Sequence, residues 1–193
     1  MADSAAPPSI ETAGGSRPAG SVTWYDYAKV GALMSALIGV LIAVRGYADD
    51  PAPRPEQLLG PMFALIALTA IVWLTMVVVR NMAVMRGLTG PEYFLTYNGA
   101  QPLDWIERPA RTFNNLMQVP PLFYAVCLLM MVTHHVDRAQ LFYAWIYVAL
   151  RAAHAAIYIG WNPLPYRFAA WVTSCIVLWT IWTRFALQVW PVL

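Results

Sequence analysis

Long apolar stretches separated by short polar breaks run through most of the chain and divide it into five segments. These segments cover residues 25–45, 58–85, 108–133, 141–160 and 166–189. A helix needs about 20 predominantly apolar residues to cross the hydrocarbon core of a bilayer, and the last four segments reach that length. The first segment has only about 15 strictly apolar or small residues at its centre. The pattern therefore leaves open whether the first segment spans the membrane or lies on its surface.

Helix-breaking residues mark the ends of these segments. Residues 49–55 read DDPAPRP, which cannot continue a helix and predicts a tight connector. Residues 89–104 contain Gly-Pro, Asn-Gly and Gln-Pro pairs and predict a long irregular loop, whereas residues 133–137 predict a short hairpin connection. The NPLP turn at residues 162–165 places proline where a new helix begins. The prolines at 120–121 predict a kink inside the third segment.

Composition agrees with a membrane protein. The chain is 60% hydrophobic and 11% charged, whereas soluble domains carry about 25% charged residues. Its net charge of +2 is small and scattered, so a nucleic-acid partner is not expected. Residues 1–22 are rich in Ala, Pro, Ser and Gly without a basic start followed by an apolar core, which predicts a disordered tail rather than a secretory signal.

The predicted fold class is therefore an all-α integral membrane protein in contact with the lipid bilayer. It consists of a four-helix transmembrane bundle over residues 58–190 and one additional N-terminal hydrophobic helix over residues 23–47. Most arginines fall on one side of the membrane if the helices alternate in direction, namely Arg80, Arg86, Arg108, Arg111, Arg151 and Arg167. The positive-inside rule then places that side, with the loop at residues 89–104, in the cytoplasm. A bacterial inner membrane is the expected location.

Two sets of polar residues interrupt the apolar segments, each on one face of a helix. One set is Arg151, His154 and Tyr158, at positions i, i+3 and i+7, and the other is Arg111, Asn115 and Gln118, at i, i+4 and i+7. Polar groups inside a bilayer helix are costly and usually face a bundle interior or a wet cavity. With Arg167, these sets predict a cationic pocket at one depth, shared by three helices. Such a pocket suits a small anionic molecule, with an apolar partner arriving from the lipid.

Each of these residues also has a simpler interpretation on its own. Arg108 and Arg111 are placed where arginines reach to anionic headgroups. His154 alone is more typical of a hydrogen-bonded interior histidine than of a catalytic base, and Tyr158 alone of an interfacial aromatic residue. Arg151 lies about ten residues before its segment ends. This is too deep for its side chain to reach the headgroups, so Arg151 is expected to have a polar partner.

Two further groups of residues bear on metal and redox chemistry. His134, His135 and Asp137 lie together in a short turn, but no further ligand is near in sequence, so a solvated loop is expected and no metal site. Cys127 and Cys175 lie in apolar runs without ligand-like spacing, which predicts buried, inert thiols.

Two segments, ERPARTFNNLMQVPPLF and YVALRAAHAAIYIGWNPLPYR, carry a family resemblance. They resemble the MAPEG superfamily, the membrane-associated proteins in eicosanoid and glutathione metabolism. The family pattern is an Arg-rich helix start with Asn, then Glu three residues later and Pro-Phe, followed later by Arg-x-x-His-x-x-x-Tyr, a short turn and an Arg opening the last helix. The matching residues are Arg108, Arg111, Asn115, Arg151, His154, Tyr158, Asn162 and Arg167. The resemblance covers residues 58–189, and Gln118 stands where the family usually has Glu.

The resemblance implies a four-helix bundle, commonly a homotrimer, with glutathione bound between neighbouring subunits near the cytoplasmic face. The residues that it assigns to glutathione binding are Arg111, Asn115, Gln118, Arg151, His154 and Tyr158. Arg167 corresponds to the arginine that stabilises the glutathione thiolate, and Tyr158 is expected to donate a hydrogen bond to the thiolate or to a leaving oxygen. A nearby guanidinium lowers the pKa of a thiol, and the thiolate is the nucleophile.

Two functions from different classes follow. The first hypothesis is a membrane-bound glutathione-dependent transferase or peroxidase that acts on a lipophilic electrophile or hydroperoxide. The alternative is a non-catalytic MAPEG-like subunit that docks to a larger membrane complex or binds lipid, which Gln118 and the extra helix favour. A transporter is a weaker third interpretation, because the sequence has no inverted repeat. The identity of the lipophilic substrate is not encoded in any recognisable motif.

Overall fold

The computed structural model describes residues 23–44, 53–97 and 101–192, and helices are the only regular elements within them. The predicted disordered tail at residues 1–22 and the predicted end of the N-terminal helix at residue 47 lie outside the described residues. Two short 3₁₀ turns, Pro55–Leu58 and Trp190–Val192, flank the helices. The α-helices are α1 Trp24–Val44, α2 Leu59–Met85, α3 Pro91–Thr96, α4 Asp104–Gln118, α5 Pro120–Thr133, α6 Arg138–Ile159 and α7 Leu164–Val189.

Five parts of the described chain are long and apolar enough to cross a membrane: α1, α2 with its preceding turn, the α4–α5 pair, α6 and α7. The predicted all-α integral membrane fold, with four bundle helices and one further N-terminal helix, is therefore confirmed. The length of α1, 21 residues, also meets the requirement that the apolar pattern of the first segment left open.

Proline and left-handed residues explain where the helices begin and end. The third segment breaks at Val119, and Pro120 then opens α5, where the missing proline N–H costs nothing because the first turn has no acceptor for it. The predicted kink is thus a complete interruption between two helices. Left-handed backbone at Tyr97 (φ 54°) and His134 (φ 57°) ends α3 and α5.

One expectation for the loops was wrong. The region at residues 89–104 was expected to be irregular throughout, but it contains α3. Pro91 lies in the first turn of this helix, where its fixed φ favours helix initiation, and Tyr97 terminates the helix after six residues. The Gly-Pro pair, interpreted as a loop signal, is here a helix start.

The interior of the bundle lies between α2, α5, α6 and α7. Its largest fully buried apolar side chains include Leu65, Phe123, Tyr147 and Ile181. The Phe123 and Tyr147 rings stack with centroids 4.7 Å apart and planes 18° apart, which joins α5 to α6. Because lipid is as apolar as these side chains, close van der Waals packing rather than exclusion of water holds such helices together.

Contacts at both ends of α1 define how it lies on the bundle. The Tyr166 hydroxyl at the start of α7 donates to Asp26 Oδ1 at 3.3 Å, and the Tyr143 hydroxyl near the start of α6 donates to the Leu41 carbonyl at 2.7 Å. Helix α1 therefore runs in the same direction as α7, and the five spans alternate as predicted. We call the end where α2 and α6 finish the site end, and the opposite end the far end.

Candidate functional site

Arg151 is the most deeply placed charge at the site end. Its side chain, in the middle of α6, is 0% exposed. Nη1 donates to Asn115 Oδ1 of α4 at 3.0 Å, and Nε donates to the Tyr147 hydroxyl at 3.2 Å. Nη2 is buried and has no hydrogen-bond partner among the described residues. The structure thus brings together two of the predicted site residues, Arg151 and Asn115, and adds Tyr147 one turn earlier.

His154 lies one helical turn beyond Arg151 and is 3% exposed. Its Nδ1 is 3.0 Å from the carbonyl oxygen of Arg167 in the first turn of α7. A carbonyl oxygen only accepts hydrogen bonds, so Nδ1 carries the proton in this contact. Nε2 is buried and unpartnered within the described part of the chain. The contact fixes the orientation of the imidazole and ties the end of α6 to the start of α7.

Arg167 is held against Tyr158 at the surface of the same region. Its guanidinium carbon lies 4.2 Å from the centroid of the Tyr158 ring, a cation–π contact, and Nη1 donates to Asn162 Oδ1 at 2.6 Å. Asn162 adopts left-handed backbone (φ 53°) between α6 and α7, a conformation that asparagine tolerates better than most residues. The Tyr158 and His154 rings are 5.8 Å apart.

These contacts make two groups at the site end, one around Arg151 and one around Arg167 and His154, that lie one turn apart on α6. We call them together the polar cluster. Residues from α4, α6, the following turn and α7 contribute to it: Asn115, Arg151, His154, Tyr158, Asn162 and Arg167. All six belong to the set that the family resemblance singled out.

Arg111 and Gln118 lie apart from the polar cluster. Arg111 is half-exposed and donates from Nη1 to Asp104 Oδ1 at 3.0 Å. Gln118 is exposed at the last position of α4 and makes no hydrogen bond to any described residue. A helix rises about 1.5 Å per residue, so these two residues are about 10 Å apart along the axis. The seven predicted site residues therefore do not all lie at one depth in the membrane, as had been expected, because Arg111 and Gln118 lie at different depths.

The two carboxylates of α4 pair with arginines outside the polar cluster. Asp104 binds both Arg108 and Arg111, and the buried Glu107 contacts Arg80 at 3.3 Å. Arg108 also donates to the Gly160 carbonyl, which joins the start of α4 to the end of α6. Sequence reasoning missed the Glu107–Arg80 pair, because its members are 27 residues apart and nothing local links them.

The two arginines of the polar cluster are different. Neither Arg151 nor Arg167 forms a salt bridge within the described ranges of the chain. A buried cation without an opposite charge is unfavourable unless something else neutralises it. The electrostatics of the cluster therefore favour an anion.

An apolar groove begins one helical turn from Arg167. It lies between α7 and the α4–α5 break, has a volume of about 530 Å³, and is lined by Val119, Leu122, Trp171, Cys175, Leu178, Trp179 and Trp182. We call it the tryptophan groove. The Nε1 atom of Trp171 is buried and, among the described residues, has no acceptor. Because Arg167 and Trp171 are at i and i+4, they share one face of α7.

Comparison with known proteins relates these features to a family. The model of the MAPEG family matches residues 58–187. No curated protein and no solved structure matches the chain. The match begins at the last residue of the 3₁₀ turn before α2 and ends near the close of α7, so it contains the whole polar cluster and the tryptophan groove, whereas α1 precedes it. Since the match covers most of the chain, this integral membrane protein belongs to the MAPEG family, a family of membrane proteins of eicosanoid and glutathione metabolism.

Proposed function

We propose that this protein is a membrane-bound, glutathione-dependent transferase or peroxidase that acts on a lipophilic electrophile or hydroperoxide. The observation that carries the proposal is the pair of arginines, Arg151 and Arg167, that have no carboxylate partner among the described residues and lie beside an apolar groove. The two arginines suit an anionic thiol, and the groove suits a lipophilic reactant.

The polar cluster fits glutathione, which carries two carboxylates, an ammonium group and a thiol. The guanidinium of Arg151 has an unpartnered, buried Nη2 that can donate to a carboxylate or a thiolate. The cation of Arg167 favours the thiolate form of a nearby thiol, and the thiolate is the reactive nucleophile. Asn115 and Tyr158 add a polar amide and a hydroxyl to the same surface.

Arg111 and Gln118 fit this proposal through a neighbouring subunit. Both are exposed on α4 in the single chain. In the homotrimer that the family resemblance implies, glutathione lies between subunits, and side chains exposed on one subunit face the ligand there. Gln118 replaces the family Glu, so it offers an amide in place of a carboxylate to the glutathione amino group.

The tryptophan groove suits the lipophilic reactant. Its lining is apolar and aromatic apart from the indole N–H groups of its three tryptophans and the Cys175 thiol. A molecule that enters this groove from the bilayer has its end near Arg167 within reach of the thiol. The site is proposed to face the cytoplasm of a bacterial cell, because six arginines lie towards the site end and positive charge is retained on that side.

Calorimetric titration of the detergent-purified protein with glutathione tests the proposal. We expect saturable binding that is lost in Arg151→Met, which keeps the volume of the side chain but removes its donors. Arg138→Ala, at an exposed position of the far end, is the matched control and should bind as the wild type does. Circular dichroism of each variant verifies that the helices are intact. Absence of wild-type binding at millimolar glutathione would overturn the proposal.

A second function is favoured by a specific observation. Helix α1 lies outside the family match and exposes most of its apolar side chains, with only Val30 and Leu41 buried. A non-catalytic subunit that uses α1 to contact a larger membrane complex accounts for this helix. Co-purification with a defined assembly, together with no glutathione affinity, would favour that function over the enzyme.

A further inference from the structure

We propose that His154 is the proton acceptor of this site, and that its Nε2 takes the proton of the bound thiol. The inference rests on the proposed function, since it requires a thiol substrate. It goes further by giving a catalytic role to a residue that the family resemblance places only among the binding residues.

The hydrogen bond of the imidazole determines which nitrogen is basic. Nδ1 is committed as a donor to the Arg167 carbonyl at 3.0 Å. In the neutral ring, Nε2 then carries the free lone pair. This atom is buried, and no described residue donates to it. Buried acceptors without donors are rare and destabilising, and they concentrate where function requires them.

The surroundings favour the neutral imidazole before substrate binds. Arg151 lies three residues earlier on the same helical face, and the backbone of Arg167 contacts the ring directly. Neither arginine has a salt-bridge partner among the described residues. A third positive charge in this buried group would have no counter-ion. The ring is therefore available as a base, and it becomes a favourable cation only when an anion forms beside it.

The two unpartnered atoms on this face of α6 complement each other. Arg151 Nη2 is a buried donor without an acceptor, and His154 Nε2 is a buried acceptor without a donor. A carboxylate would satisfy only the arginine, and an ammonium group would satisfy only the histidine. A thiol satisfies both, because its S–H donates to Nε2 and the sulfur, once ionised, accepts from the guanidinium. This pair of atoms therefore suits a group that both donates and accepts hydrogen bonds, and a thiol is such a group that can also lose its proton.

The proposed step is a proton transfer that needs no other reactant. The S–H bond breaks, its electron pair stays on sulfur, and an N–H bond forms at His154 Nε2. Arg151 and Arg167 stabilise the negative charge on sulfur, and the imidazolium forms next to that charge. When an electrophile has accepted the sulfur, His154 returns the same proton to the product anion, so atoms and charges balance over the cycle.

His154→Asn is the informative variant. The asparagine amide can replace Nδ1 as donor to the Arg167 carbonyl, but it has no counterpart of Nε2. We expect the dissociation constant of glutathione to stay within about threefold of the wild-type value, because a single lost contact of this kind weakens binding by less than a factor of about ten. We expect the ultraviolet absorbance of the bound thiolate at neutral pH to be lost and turnover to fall by about 100-fold or more. His134→Asn changes an exposed histidine of the far end and should leave the thiolate absorbance and the turnover unchanged.

A second measurement uses only the wild-type protein and is independent of how the variant folds. Calorimetry of glutathione binding in two buffers of different ionisation enthalpy counts the protons released. Thiolate absorbance without net proton release supports transfer to His154, whereas release of one proton per thiolate overturns it. Unchanged thiolate absorbance in His154→Asn also overturns this inference while the proposed function stands. A wild type that does not bind glutathione overturns both.

Discussion

The two ends of the bundle both hold buried polar residues, but they use them differently. At the far end, Asp137 caps α6: its Oδ1 accepts from the Gln140 backbone N–H at 2.8 Å, and the Gln140 side chain accepts from the Asp137 N–H at 2.8 Å. Arg184 Nε and Gln188 Nε2 both donate to Asp137 Oδ2. Gln140 Nε2 also donates to Gln188 Oε1. We call these four residues the far-end network, in which every charge has an opposite charge.

The polar cluster at the site end has no such pairing of opposite charges. Arg151 and His154 are at least as deeply buried as the charged far-end residues, yet each has a polar atom without a hydrogen-bond partner among the described residues. The two carboxylates of α4 lie at this end, but they bind Arg80, Arg108 and Arg111 instead. The comparison shows that burial alone does not separate the arginines at the two ends. The presence or absence of an acidic partner does.

The largest expected effect is on stability, at the far end. Asp137→Ala removes the helix cap and leaves the Arg184 guanidinium without its carboxylate, so we expect a loss of about 3–5 kcal/mol in the free energy of unfolding. Denaturant unfolding in detergent measures it. Glu56→Ala, at an exposed acidic residue on the same side, should change stability little. If Asp137→Ala is as stable as Glu56→Ala, the far-end network is not what holds α6 to α7.

The next largest effect is on turnover, at the site end. Arg167→Ala removes the cation beside the thiol and should reduce kcat by about 100-fold to 1,000-fold, the range for losing a charge-stabilising group. We expect glutathione still to bind and the unfolding free energy to change little, because Arg167 lacks an acidic partner. Steady-state kinetics beside a binding titration separates the two effects. Unchanged turnover would exclude Arg167 from the chemistry.

A smaller effect is expected in the tryptophan groove. Trp171→Phe keeps an aromatic ring but removes the buried Nε1 donor. If this donor binds an oxygen of the lipophilic substrate, KM for that substrate should rise about fivefold to tenfold, which corresponds to one neutral hydrogen bond, with glutathione affinity unchanged. Trp179→Phe, on the exposed side of the same groove, is the control. Equal KM values for the two variants would contradict a polar role for Trp171.

The smallest effect is expected at Arg111, the half-exposed arginine bound to Asp104. Arg111→Ala should change the unfolding free energy by about 0–1 kcal/mol, since exposed ion pairs contribute little. Thermal unfolding of Arg111→Ala beside Asp137→Ala sharpens the contrast between an exposed and a buried ion pair. A loss for Arg111→Ala that equals the loss for Asp137→Ala would contradict the division between them.

Hydropathy and spacing along the chain were sufficient for the fold and for half of the site. Apolar length alone predicted the spans, because crossing a bilayer imposes a minimum number of apolar residues on any helix. Helical periodicity placed Arg151, His154 and Tyr158 on one face, since residues at i, i+3 and i+7 must lie there whatever surrounds them. The prolines at 120–121 similarly determined where the third span is interrupted.

Tertiary structure alone decided which polar atoms pair across helices. Arg111 and Arg151 both lie on polar helical faces in the sequence. Arg111 binds Asp104 of its own helix, whereas only the packing of α4 against α6 gives Arg151 the amide of Asn115. The far-end network joins Asp137 to Gln188, which are 51 residues apart, and the tautomer of His154 depends on a carbonyl of α7. Periodicity is a local property of one helix, whereas hydrogen-bond partners depend on how helices rotate and approach one another, and local patterns carry no information about that.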